Sequence, residues 1–119
     1  AYCRRLRRFD IPDKTLVIGD NAFVECLSLR EITIPNGVTH IMNGAFAYCY
    51  RLKTVRLSDG LRKIGANAFR SCVKLKKLRI PDTVTVLNKS AFEDCLALSF
   101  KSRLSIAKRK RYILKSQGG

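Results

Sequence analysis

The chain has 119 residues and carries 24 lysines and arginines against nine acidic residues, a net charge of +15. That size and mix fit one domain; no apolar run is long enough to span a membrane, and no signal-peptide pattern opens the sequence. A single histidine, no Cys-x-x-Cys pair, and nothing resembling a phosphate loop or a catalytic triad leave no metal site, cofactor or enzyme to read from the residues.

From the N-terminus, Ala1-Tyr2-Cys3 leads to Leu6, Phe9 and Ile11, with Pro12 next and Ile18 closing the unit. The same columns return at a step of 23 residues, first in Cys26, Cys49, Cys72 and Cys95, and then in Leu29, Leu52, Leu75 and Leu98. Ile32, Val55 and Leu78 make a third column; Ile34, Leu57 and Ile80 a fourth; Ile41, Ile64 and Leu87 continue the closing one. The pairs Ala22-Phe23, Ala45-Phe46, Ala68-Phe69 and Ala91-Phe92 keep the same step. A fixed period of about 20 to 50 residues marks an architecture of stacked repeats.

Each unit predicts the same succession. The L-x-x-hydrophobic-x-hydrophobic segment alternates with period two over its last residues and reads as a short strand with one buried face. Pro12, Pro35 and Pro81 stop it by removing a ladder donor, with Ser58 as the exception. Asn36-Gly37 and Asp59-Gly60 supply turn residues, and a second extended piece follows, as at Val38 to Ile41 or Val84 to Leu87. The Ala-Phe-x-x-Cys segment is expected on the opposite side as a helical turn or a short irregular piece. There Ala permits close backbone approach and Phe fills the middle of the coil.

These columns resemble the leucine-rich repeats of the BspA-like kind, written I-P-x-x-V-x-x-I-x-x-x-A-F-x-x-C-x-x-L-x-x-I-x-I, over about residues 1 to 98. The expected fold is a repeat solenoid, a leucine-rich-repeat-type stack of short β-strands with turns and short helical segments. One unit cannot bury its apolar face alone; five stacked at about 4.8 Å make a slab on the order of 24 Å long. Burial of each Phe contributes roughly 1.5–3 kcal/mol. The expected organisation is a solenoid of about four and a half repeats over 1–98, opening in mid-repeat and so N-terminally truncated, then a basic cap or tail over 99–119. The resemblance implies a non-enzymatic module, since members are commonly repeat segments of bacterial or protist surface proteins that bind other proteins. It implies a cell-surface or secreted location and carries no fixed binding residues.

The cysteines are odd in number, and in a register-true stack neighbouring Cβ atoms fall slightly beyond disulfide separation. Each therefore reads as a small buried hydrophobe in a core column. Unpaired thiols favour a reducing setting, which with a basic tail is compatible with a cytoplasmic or nuclear location as well. His40 and the Glu93-Asp94 pair read as solvated surface groups. The Asn88-Lys89-Ser90 triplet fits a glycosylation acceptor but arises easily by chance.

The placement of the charge is unusual. Four residues after successive cysteines stand Arg7, Arg30, Lys53 and Lys76. Arg51 and Lys74 stand two after, Arg8 and Lys77 five after, and Arg56 and Arg79 seven after. The last two columns alternate with the buried ones, so they are expected to point out of the strand sheet. Stacked like charges cost about 0.8 kcal/mol per pair in water and up to roughly 3 at an effective dielectric of 20. These ten residues are the candidate partner-binding face, for an acidic protein surface or a polyanion, with a nucleic-acid backbone also fitting.

After Cys95 the grammar changes: Lys101 and Arg103 occupy the strand columns. Leu104 and Ile106 are expected to form a last strand capping the stack, and Tyr112-Ile113-Leu114 to fold back on the final repeat. Lys108, Arg109, Lys110 and Arg111 form a second candidate basic patch. The competing reading is an RNA-associated protein that contacts phosphates and reads little sequence, since the aligned Phe residues look buried and leave mainly Tyr48, Tyr50 and Tyr112 for stacking.

Overall fold

The computed structural model describes residues 5–117, so Cys3 and the opening Ala1-Tyr2 fall outside the described residues. The elements in chain order are β1 (Val17–Ile18), β2 (Glu31–Thr33), β3 (His40–Ile41), β4 (Thr54–Arg56), β5 (Lys63–Ile64), β6 (Val86–Leu87) and α1 (Phe100–Gln117). Each turn of the coil lies on the previous one, and the backbone is paired along three sides.

The closing column forms the longer sheet, with β1, β3, β5 and β6 parallel in that order. Its register advances by one repeat per strand, Ile18 to Ile41 to Ile64 to Leu87. The L-x-x-hydrophobic-x-hydrophobic segments form the second sheet, in which β2 pairs parallel with β4 and sets Ile32 beside Val55. An isolated bridge from Thr54 to Lys77 continues the register. Both strands bury their central residue and expose the flanking two, as alternation predicts. On the third side the Ala-Phe-x-x-Cys segments are runs of turns, with no helical element. Phe23, Phe46 and Phe69 each donate a backbone N–H to the Ala carbonyl of the next unit at 2.7 Å.

The core is columnar. Phe23, Phe46, Phe69 and Phe92 stack with ring centroids 5.1–5.2 Å apart and planes within 6°. That spacing is close to the interstrand step of about 4.8 Å, so the backbone period sets the aromatic spine. Each unit turns into its cysteine through a left-handed residue: Glu25, Tyr48, Ser71 and Asp94 have φ between 56° and 62°. A second left-handed position precedes the Ala-Phe pair and is filled by Asn21, Gly44 and Asn67, two residue types that tolerate this conformation.

The thiols face inward. Cys49, Cys72 and Cys95 donate to the backbone carbonyls of Phe23, Phe46 and Phe69 at 3.0–3.1 Å. The neighbouring Cys49 thiol, followed by burial, pushes the Cys72 thiol upward. Burial raises Cys95 to about 11. The expectation of unpaired thiols holds at these three positions. It fails at Cys26, which is disulfide-bonded.

The largest departure is at the C-terminus. Residues 100–117 form one helix of 18 residues where a strand at Leu104 and Ile106 was expected. The segment contains no Pro or Gly, and its lysines, arginines, leucines and alanine favour helix. Ser99 starts it as N-cap, its Oγ accepting from the Ser102 N–H at 3.2 Å. The helix buries Ser102, Ile106 and Arg109. Tyr112 and Leu114 stay 60% and 70% exposed, so the expected fold-back of Tyr112-Ile113-Leu114 does not occur and Ile106 is the apolar anchor.

Candidate partner-binding groove

The site begins where the second sheet ends. Leu78 and Ile80 have no further strand to donate to, and α1 supplies side-chain oxygens instead. Ser102 Oγ accepts from the Leu78 N–H at 3.0 Å and donates to the Lys76 carbonyl at 2.9 Å. Ser105 Oγ accepts from the Ile80 N–H at 2.8 Å, and the Arg109 guanidinium donates to the Asp82 carbonyl at 2.6 Å. Positions 102, 105, 106 and 109 lie on one side of a helix, so a single face meets the strand edge along about two turns. Arg103 fixes the start of the helix by donating to the carbonyls of Leu98 and Leu96.

Docked this way, α1 walls a groove of about 1560 Å³ against the outward face of the second sheet. From the sheet come Arg56, Lys77 and Arg79; the Thr54–Lys77 bridge sets Arg79 one repeat step from Arg56. From the helix come Phe100, Leu104, Lys108 and Tyr112, spaced four apart and hence on one stripe, with Lys101 beside them. Phe100 is 78% exposed. Asp59 and Asp82 are the acidic residues lining it. Arg109 forms part of the floor: its Cζ lies 4.2 Å from the Tyr112 ring centroid, and its Nε is buried without a partner. The Asp82 carboxylate, 3.8 Å from Nη1, is itself 92% exposed.

The candidate residues therefore divide. Arg56, Lys77, Arg79 and Lys108 come together in the groove. Arg7, Arg30, Lys53 and Lys76 are exposed in a neighbouring column, tied one repeat apart by Arg30 N–H to Arg7 carbonyl, Lys53 to Arg30 and Lys76 to Lys53 bonds of 2.7–3.0 Å. Arg51 and Lys74 are exposed outside the groove, and Arg8 pairs with Glu31. The run from Lys108 to Arg111 is not one patch, because successive helical residues point about 100° apart. Lys108 faces the groove, Arg109 is buried, Lys110 lines a depression on the other flank of α1, and Arg111 is exposed apart from both.

Sequence reading missed Phe100, Leu104 and Lys101 as groove residues; the Ser99 cap before a run free of Gly and Pro was the available signal. His40, expected to be solvated, is half-buried with Nδ1 2.8 Å from Thr39 Oγ1. Among the described residues no cluster of His, Cys, Asp or Glu could hold a metal ion, and no helix is long and apolar enough to cross a membrane.

Parallel two- and three-residue strands advancing by one 23-residue unit, with Leu, Ile and Phe columns inside, define a leucine-rich repeat protein. The chain belongs to the BspA type leucine rich repeat family, whose repeat region matches residues 1–113 in six copies. A leucine-rich repeat protein from Bacteroides ovatus is 37% identical with a TM-score of 0.76, the match covering 83% of this chain and 26% of that one. One from Bacteroides capillosus is 35% identical with a TM-score of 0.72, covering 79% and 74%. A leucine rich cell surface protein from Faecalibacterium prausnitzii is 25% identical with a TM-score of 0.59, covering 84% and 34%. This chain thus spans about a quarter of the Bacteroides ovatus protein. No curated protein matches. Leucine-rich repeat proteins generally act as protein-interaction modules and are typically non-enzymatic.

Proposed function

We propose that this chain is a non-enzymatic interaction module that binds an acidic partner protein through the basic face of its second sheet. The observation that carries the reading is the convergence of Arg56, Lys77 and Arg79 on a groove walled by α1. Cations held in register by backbone pairing gain from an acidic ligand what they lose to one another while unoccupied. Family membership supports a protein partner, and the Faecalibacterium neighbour supports a location at the cell surface.

A second reading, contact with an RNA backbone, draws support from the exposed rings of Phe100 and Tyr112 beside Lys101 and Lys108, since aromatics next to cations stack bases. Titration with an acidic protein, heparin and single-stranded RNA at several salt concentrations separates the two. The triple reversal Arg56→Glu, Lys77→Glu and Arg79→Glu is expected to abolish binding of the acidic protein. Unchanged affinity in that variant refutes the assignment of this face; RNA bound tightest, with the steepest salt slope, transfers the function to the second reading.

A further inference from the structure

Resting on that reading, we infer that the groove between the second sheet and α1 takes an amphipathic acidic peptide segment of the partner, with large apolar side chains lying on α1 and carboxylates facing the sheet. The two walls differ in chemistry. On the helix wall, three of the four residues in the stripe from Phe100 to Tyr112 are apolar or aromatic, and Lys108 is the exception. Phe100, Leu104 and Tyr112 are 78%, 39% and 60% exposed. On the sheet wall the outward side chains are Thr54, Arg56, Lys77 and Arg79, three of the four being cations. A ligand matching both needs apolar groups on one side and anions on the other, within a single chain.

The floor is held in place by Arg109. The Arg109 side chain is 8% exposed, its Nε hydrogen is unpartnered, and Asp82 neutralises it from a solvated position. The guanidinium holds the Asp82 carbonyl at 2.6 Å and lies over the Tyr112 ring, so it fixes Tyr112 in the helix wall that the apolar side chains of the ligand meet. Asp59 and Asp82 suit a peptide ligand, because their carboxylates can accept its N–H groups. A second copy of this chain is a poor occupant, because each copy carries +15 and would bring like charges together.

Fluorescence anisotropy on the full chain tests the inference with three labelled probes: a twelve-residue peptide alternating Glu and Leu, a glutamate-only peptide of equal length, and oligouridine. The alternating peptide is expected to bind at least tenfold more tightly than the other two. Phe100→Ala, at a site 78% exposed, and Leu104→Ala, with its helix content checked by circular dichroism, should each weaken it by about fivefold while leaving the salt slope unchanged. Arg79→Glu should weaken it and flatten the slope. Equal binding of the alternating and glutamate-only peptides, lost in the triple reversal, overturns the amphipathic ligand while the acidic-partner reading stands. No binding of either peptide overturns both, and preference for oligouridine overturns both in favour of RNA.

Discussion

Replacing Ser102 with Ala removes one oxygen and tests how α1 closes the strand edge. Ser102 is 2% exposed, and its Oγ is the acceptor for the buried Leu78 N–H. The Lys76 carbonyl keeps a bond from the Ser99 N–H at 3.0 Å, and the half-buried Ser99 hydroxyl loses the Ser102 oxygen but still accepts from the Ser102 N–H, so the buried group the variant strands is the Leu78 amide. An unsatisfied buried donor costs about 1–3 kcal/mol. Ala regains roughly 0.5 kcal/mol of helix propensity, leaving a net loss of about 0.5–2.5 kcal/mol. Ser105→Ala strands the Ile80 N–H, 2.8 Å from its oxygen, by the same logic, and the two losses should couple because both act on one edge. Urea denaturation followed at 222 nm measures the loss. For a chain of this length 1 kcal/mol corresponds to about 3–6 °C in Tm. Ser116→Ala is the control: that exposed hydroxyl donates only to the Ile113 carbonyl within the helix, and its removal should be neutral or slightly stabilising. If Ser102→Ala matches Ser116→Ala and the Leu78 amide keeps its hydrogen-exchange protection, the hydroxyls do not complete the sheet.

Two further predictions concern the repeat itself. Gly44→Ala forces a side chain into φ +67°, with its Cβ 2.3 Å from Asn21 Oδ1; it should cost at least about 1–2 kcal/mol, while Gly19→Ala, with nothing within 4 Å, should be neutral or stabilising by the same melts. Burial raises Cys95 from 9.0 to about 11, so the unfolded chain loses its proton first. The stability it confers is complete below pH 9 and is lost as pH rises through 11, by on the order of 2–3 kcal/mol. Denaturation midpoints of the chain and of Cys95→Ala between pH 8 and 11 should diverge accordingly, and parallel pH profiles would contradict the buried-thiol assignment.

The repeat was legible because its signal is local and multiplied. Each column of Leu29, Leu52 and Leu75, or of Phe46 and Phe69, needs only one fixed spacing to predict burial, and all five of these residues are fully buried. The alternation that sent Arg56 outward and Val55 inward is likewise a property of the strand alone. Less visible was which extended segment would carry the longer sheet. Both have suitable residues, and the outcome depends on what meets the last edge.

Sequence alone determined the coil, its core columns and the outward aim of the strand cations, since each follows from a period that every unit repeats. Tertiary structure decided the rest: the helix at 100–117, the scattering of Lys108 to Arg111 around it, the disulfide at Cys26 and the groove. The reason is that α1 occurs once and acts through partners more than twenty residues away, with Ser102 bonded to Leu78 and Arg109 to Asp82. A contact made once between distant residues leaves no periodic trace, so its position appears only when the chain is folded.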